Sequence, residues 1–175
     1  MQIARRRAPR ATVVAGDAER LPWPDAQFDY VTCLGSLENM LHSDAALAEL
    51  RRVLKPDGLL CVMMPNKYWL GDVLEVMWKG DEPTSFQSLE RQATFAEWRA
   101  WLAASGLQVE RAARYNKRPV LFAGRKLKSV RKFVWRWCFN TICPFHLSWS
   151  FVYVCRNAPP SGIASRYWQL HAADA

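Results

Sequence analysis

The apolar residues of this chain fall into short runs separated by polar turns. Residues 11–15, Ala-Thr-Val-Val-Ala, form a β-rich run that stops at the turn pair Gly16-Asp17. A loop with Pro22 and Pro24 follows. The next run spans 28–34 and contains Tyr30, Val31, Thr32 and Cys33, the profile of a buried strand. Ser43 can cap a helix in which Leu47, Leu50, Val53 and Leu54 repeat on one face. Lys55-Pro56-Asp57-Gly58 ends it as a tight turn, because proline pre-sets the second turn position and glycine suits the fourth. Residues 59–64 are continuously apolar up to Pro65, which predicts a central parallel strand covered on both faces.

Further along, Trp69, Leu70, Val73, Leu74 and Met77 share one helical face, and residues 80–88 read as a loop. Thr94 and Glu97 have the spacing of a capping box ahead of a helix lined by Phe95, Trp98, Trp101 and Leu102. Gly106 closes that helix, and Leu107 and Val109 begin a strand. A last strand is predicted over 151–155. Strands alternating with helices imply a parallel or mixed sheet, and such sheets bind ligands at the carboxyl ends of their strands.

Residues 126–139 predict a basic amphipathic helix. Leu127, Val130, Phe133, Val134, Trp137 and Cys138 fall on one side, with Lys128, Lys132 and Arg136 on the other. Such a helix can pack on the sheet, lie on an anionic membrane surface or cover a lipid or glycan tail. The chain as a whole carries 24 Lys and Arg against 16 Asp and Glu. That balance suits anionic partners, but no nucleic-acid motif accompanies it, and nucleic acid is not expected as a partner.

Of the five cysteines, Cys33, Cys61 and Cys155 lie in strand-like runs and read as core residues. Cys138, Cys143 and His146 match no zinc-ligand spacing, so no metal is expected. No secretory signal is visible, and a reducing cytoplasm is the expected compartment, with membrane association through residues 126–139 as the variant. Residues 137–155 are broken by Asn140 and Pro144 and do not read as a membrane span.

Gly16-Asp17-Ala18-Glu19-Arg20-Leu21-Pro22-Trp23-Pro24, then Phe28-Asp29-Tyr30-Val31, then Leu50-Arg51-Arg52-Val53-Leu54-Lys55-Pro56-Asp57-Gly58 follow in order. This series resembles the type 11 family of class I S-adenosylmethionine-dependent methyltransferases, clearly over residues 4–62 and more weakly to residue 156. The resemblance implies an α/β fold, a partial Rossmann-like methyltransferase sheet with helices on both faces, in which the seventh strand lies between the fifth and sixth. It places one such domain at residues 1–156, followed by a flexible tail at 157–175. Residues 11–15 would be the third strand and residues 28–34 the fourth.

The resemblance also implies S-adenosylmethionine as cofactor. By position, Asp17 would accept from the adenine amino group and the Ala18 N–H would donate to a ring nitrogen. Leu34 and Gly35 would pass beside the methionine end, where glycine permits close backbone approach. Glu38, Asn39, Asn66, Lys67 and Tyr68 fall on the substrate side, and Glu38 could act as a base or orient an acceptor hydroxyl. No obligatory catalytic side chain is expected, because transfer from a sulfonium mainly needs alignment and exclusion of water.

The family's glycine-rich turn after its first strand has no counterpart here, since no G-x-G occurs. The domain therefore reads as N-terminally incomplete. Weak cofactor binding is expected, as is an open edge on the strand at 28–34 that could accept the third strand or a partner chain. Two readings follow: methyl transfer to a small-molecule, lipid or glycan acceptor, or an inactive methyltransferase-like module that binds a partner chain or an anionic membrane.

Overall fold

The computed structural model describes residues 2–80, 90–116 and 142–158. The helix predicted over 126–139, Cys138 and the tail beyond residue 158 lie outside the described residues. Helix α1 (Gln2–Arg7) is followed by strand β1 (Phe28–Leu34), a 3-10 turn (Leu37–Asn39), helix α2 (Ser43–Val53) and strand β2 (Leu54–Pro65). Helices α3 (Leu70–Lys79) and α4 (Phe95–Ala104), strand β3 (Leu107–Tyr115), a second 3-10 turn (Phe145–Leu147) and strand β4 (Ser150–Asn157) complete the order.

The four strands form one sheet in the order β1-β2-β4-β3. β1 and β2 are parallel and joined through α2, and β4 runs antiparallel to both its neighbours. The last strand thus inserts between the two that precede it.

Register explains the core. Leu60 pairs with Cys155, Val62 with Tyr153 and Met64 with Phe151, so these six side chains share one face. All six are fully buried, packed against Ala46, Leu47 and Leu50 of α2 and Trp98, Trp101 and Leu102 of α4. Burying each large apolar side chain contributes roughly 1.5–3 kcal/mol. The alternate row of β2, Leu59, Cys61 and Met63, is only half-buried, so the strand expected to be covered on both faces is fully covered on one.

Three local expectations change. Residues 11–15 form no strand and Val14 is exposed. A strand needs a neighbouring ladder for its backbone groups, and no described strand lies beside this segment, in the place expected or against β1. The Lys55–Gly58 turn does not separate helix from strand but bulges out of β2: Phe28 pairs with Leu54 and Tyr30 with Leu59. Gly58 makes that bulge possible, because a Cβ there would lie 2.7 Å from Leu54 Cδ1 and 3.0 Å from the Asp29 carbonyl oxygen. Ser43 is the first residue of α2 rather than its cap, and its hydroxyl accepts a hydrogen bond from Arg91 Nη1.

The expectations for the start and stop of α4 and for the core cysteines hold, with Cys61 the least buried of the three. Thr94 Oγ1 accepts from the Glu97 N–H while Glu97 Oε2 accepts from the Thr94 N–H, a reciprocal box at the start of α4. Gly106 follows that helix at φ 74°, in the left-handed region. Cys33 and Cys155 are buried core residues, and Cys61 is half-buried. No group of metal-ligating side chains occurs among the described residues, and no described helix is long and apolar enough to cross a membrane.

Candidate functional site

Parallel strands β1 and β2 end on the same edge of the sheet. Gly35 and the Leu37–Asn39 turn follow β1 there, and Asn66, Lys67 and Tyr68 follow β2. The segment from Asp17 to Asp25 reaches the same edge from outside the sheet. Its upper end is held by Glu19, whose Oε1 accepts from the His42 N–H at 3.0 Å, just ahead of α2.

The rest of that segment descends along α2 on two polar side chains. Glu49 Oε2 accepts from the Leu21 N–H at 2.8 Å. Arg52 donates to Glu49 through Nε and Nη2, to Asp25 and the Trp23 carbonyl through Nη1, and to the Leu21 carbonyl through Nη2. The Arg52 hydrogen bonds, chiefly, together with the Leu21 N–H hold the Glu49 carboxyl at about 2, well below its ordinary 4.5. The anchoring is therefore complete above pH 4.5 and lost as pH falls toward 2. Replacing Arg52 with alanine is expected to free the loop at neutral pH, seen as faster tryptic cleavage after Arg20. Acid is expected to release the parent loop, seen as peptic cleavage at Leu21.

At the top of this loop Asp17 is exposed, and its Oδ1 accepts from the Glu19 N–H at 2.9 Å, closing a turn with Arg20 N bonded to Asp17 O at 3.1 Å. The carboxylate thus caps its own turn and still faces solvent. Ala18 packs against the core, and among the described residues its N–H has no backbone partner. An exposed carboxylate beside an available N–H fits the amino group and ring nitrogen of adenine.

Beyond β1, Leu34 is 54% exposed, and Gly35 takes φ 65° while its N–H donates to the Met63 carbonyl at 3.1 Å. A Cβ on Gly35 would meet Met63 Cε at 3.4 Å and Glu38 Oε1 at 3.7 Å, so glycine brings bare backbone to the sheet edge beside Glu38. Glu38 is buried, and burial, aided by the nearby Glu90 charge, raises its carboxyl above the ordinary range.

Asn66 has a different employment. Its Nδ2 donates to the His146 and Ser148 carbonyls, each at 2.8 Å, and its Oδ1 accepts from the Tyr68 N–H at 3.2 Å. The side chain is buried and holds the segment before β4 against the end of β2. Lys67 and Tyr68 are exposed, with Lys67 Nζ 5.7 Å from the Tyr68 ring centroid. The structure therefore brings Gly35 and Glu38 together, sets Leu34, Lys67 and Tyr68 on the open surface, and commits Asn66 to backbone.

Glu49, Arg52 and Arg91 were not singled out in the sequence. Glu49 and Arg52 are three residues apart on the polar side of α2, a signal readable as a helical pair. Arg91 reaches the Met40 and Leu41 carbonyls and Ser43 Oγ, and no local pattern announces it. A separate hollow at the opposite edge is lined by Asp29, Lys55, Gly58 and Arg156. Both of its cations are paired: Lys55 binds Asp29 at 2.8 Å, and Arg156 binds Glu110.

Fold and site together place this chain with known proteins. Residues 1–62 match the family model described as a methyltransferase domain. The fold is that of the class I S-adenosylmethionine-dependent methyltransferases. An S-adenosylmethionine-dependent methyltransferase of Thermotoga maritima superposes with a TM-score of 0.60 at 22% identity, over 90% of this chain and 68% of that one. The Burkholderia thailandensis 1,6-didemethyltoxoflavin-N1-methyltransferase, solved with its substrate and S-adenosylhomocysteine, gives 0.56 at 19% identity, over 90% of this chain and 56% of that one.

Among curated proteins, the ubiquinone/menaquinone biosynthesis C-methyltransferase UbiE of Paraburkholderia phymatum is 58% identical over 53 residues. That of Cupriavidus necator is 57% identical over the same length. The match covers 30% of this chain and 22% of each relative, so the chain aligns with about a fifth of their length.

Proposed function

We propose that this chain serves S-adenosylmethionine-dependent methyl transfer to a small-molecule acceptor of the quinone class. The observation that carries the reading is the Glu19–His42 hydrogen bond, which fixes the Asp17–Arg20 turn at the sheet edge where β1 and β2 end. In this reading Asp17 and the Ala18 N–H hold the adenine, and the Gly35 backbone lies along the methionine end. When bound, the cofactor supplies an electrophilic methyl group on a sulfonium. The chain's contribution is to hold the two reactants in line and keep water away. The 58% identity to the quinone-biosynthesis enzyme over 53 residues supports the acceptor class.

A second reading, a binding module, rests on β1. It is an edge strand among the described residues, and it exposes Tyr30 at 75% and Leu34 at 54%. Calorimetric titration of S-adenosylhomocysteine into the 175-residue chain, beside Asp17→Ala, separates the two. Binding weakened at least about tenfold in the variant is the expected result, the loss of a charge-assisted hydrogen bond. A well-folded chain that binds nothing supports the module.

A further inference from the structure

The carboxyl ends of β1 and β2 are joined by a segment that belongs to neither strand. Residues 91–93 lie just ahead of α4 and meet both strand ends. On the β2 side, Ala93 is buried and bridges Asn66 in parallel, and its carbonyl accepts from the Lys67 N–H at 3.1 Å. On the β1 side, the Arg91 N–H donates to the Glu38 carbonyl at 3.0 Å. The Thr94–Glu97 box anchors the far end of this strap to the start of α4.

The Arg91 side chain extends the strap along the stretch between β1 and α2. Nη1 donates to the Met40 carbonyl at 3.0 Å and to Ser43 Oγ, and Nη2 donates to the Leu41 carbonyl at 2.9 Å. One planar fork thus holds acceptors spread over residues 40–43, which a compact ammonium could not span. A cation is out of place at a helix start, where the dipole favours negative charge. The two carbonyls ahead of α2 hold the guanidinium there, so Arg91 serves that stretch rather than the helix.

Arg91 grips the residues on either side of His42, and the His42 N–H is the donor to Glu19 Oε1 at 3.0 Å. Glu19 belongs to the turn that presents Asp17 and the Ala18 N–H. A continuous path therefore runs from the end of β2, through Ala93 and Arg91, to His42, Glu19 and the Asp17–Arg20 turn. The Glu49 and Arg52 anchors hold the lower part of that loop, from Leu21 to Asp25.

We infer that Arg91 is a positioning residue: by gripping Leu41 and Ser43 on either side of His42, it fixes where the Asp17–Arg20 turn stands relative to the residues that follow β2. This inference rests on the methyltransferase reading and deepens it by naming what refers the cofactor side of the site to the acceptor side. In-line transfer depends on that reference, since a misplacement of about 1 Å can cost on the order of a hundredfold in rate. Arg91 touches neither reactant in this arrangement and acts only through His42 and Glu19.

Hydrogen exchange and calorimetry on the whole chain test this with Arg91→Ala and the milder Arg91→Lys, which keeps the charge but not the fork. The amides of Glu19, Arg20 and His42 are each hydrogen-bonded in the parent. They are expected to exchange at least about tenfold faster in Arg91→Ala, and faster by a smaller factor in Arg91→Lys. Amides of residues 60–64, in the core of the sheet, are expected to keep their parental rates, which a merely structural role would not allow. S-adenosylhomocysteine is expected to bind both variants more weakly than the parent, by at least about tenfold in Arg91→Ala. The inference is overturned by unchanged exchange at the three amides in every variant that folds, by acceleration spread equally through residues 60–64, or by parental cofactor affinity in a loosened variant. Should Arg91→Ala fail to fold, Arg91→Lys carries the same comparison. A parent chain that binds no S-adenosylhomocysteine removes the methyl-transfer reading alone, and the exchange rates still decide whether Arg91 positions the turn.

Discussion

Trp98→Ala is expected to cost about 3–5 kcal/mol and to leave the chain unfolded or nearly so at 37 °C. Trp98 is 2% exposed, at the centre of the face that α4 lays on the sheet. Its ring lies beside that of Trp101, centroids 5.6 Å apart, and its Nε1 donates to the Pro65 carbonyl at 2.8 Å in the interior. Truncation removes the largest buried side chain and leaves a cavity between α4 and β2 that the flanking β-structure cannot collapse to fill. It also orphans the Pro65 carbonyl, at the residue where β2 hands over to Asn66. Trp98→Phe keeps most of the volume and loses only the donor, so it is expected to cost far less. Urea unfolding followed by circular dichroism checks both. A midpoint for the alanine variant within experimental error of the parent would contradict the packing described.

Asn66→Ala is expected to cost about 1–3 kcal/mol, because the buried Ser148 carbonyl is left without its donor, a loss worth roughly that much, while the part-buried His146 carbonyl loses one as well. The two carbonyls belong to His146 and Ser148, so the effect reaches eighty residues along the chain from the substitution. Asn66→Asp makes the argument sharper. It preserves the oxygen that accepts from the Tyr68 N–H but sets a carboxylate against two carbonyl oxygens, and is expected to be at least as damaging as alanine. Denaturant midpoints of the two variants check this. A residue whose role lay only in contacting substrate would leave both midpoints unchanged.

Asn66 also shows what the sequence could and could not disclose. Its place at the end of an apolar strand was plain, and position at a strand end made it a candidate for substrate contact. Its actual partners come from residues 146–148, a distance no local pattern spans. The strand at 28–34, the box at Thr94 and Glu97, the stop at Gly106 and the cysteines of the core were legible because each depends on neighbours within a few positions. The run at 11–15 was misleading for the opposite reason: β-propensity says that a segment suits a sheet, while a strand exists only where another strand receives it. Lys55–Gly58 reads as a turn that ends a helix, yet the segment lies within β2 as a bulge, because β1 pairs on both sides of it. The burial of Glu38 was equally out of reach, since a polar residue after a strand looks like any solvated loop.

The position of β4 has a consequence for how the chain acquires its structure. β1, α2 and β2 lie within forty residues of one another and can close as a unit as soon as β2 has emerged. β2 then waits for a partner that lies far downstream: Leu60 pairs with Cys155 and Met64 with Phe151. β3 waits as well, since it touches β2 only through β4. Until the residues from 150 onward have left the ribosome, one open side of β2, the whole of β3 and the apolar row of Leu60, Val62 and Met64 stand open to whatever is nearby. Pairings this distant are slow to form. The growing chain is therefore at its most adhesive just before β4 emerges, and a nascent-chain chaperone able to occupy the vacant slot between β2 and β3 would act on it at that moment.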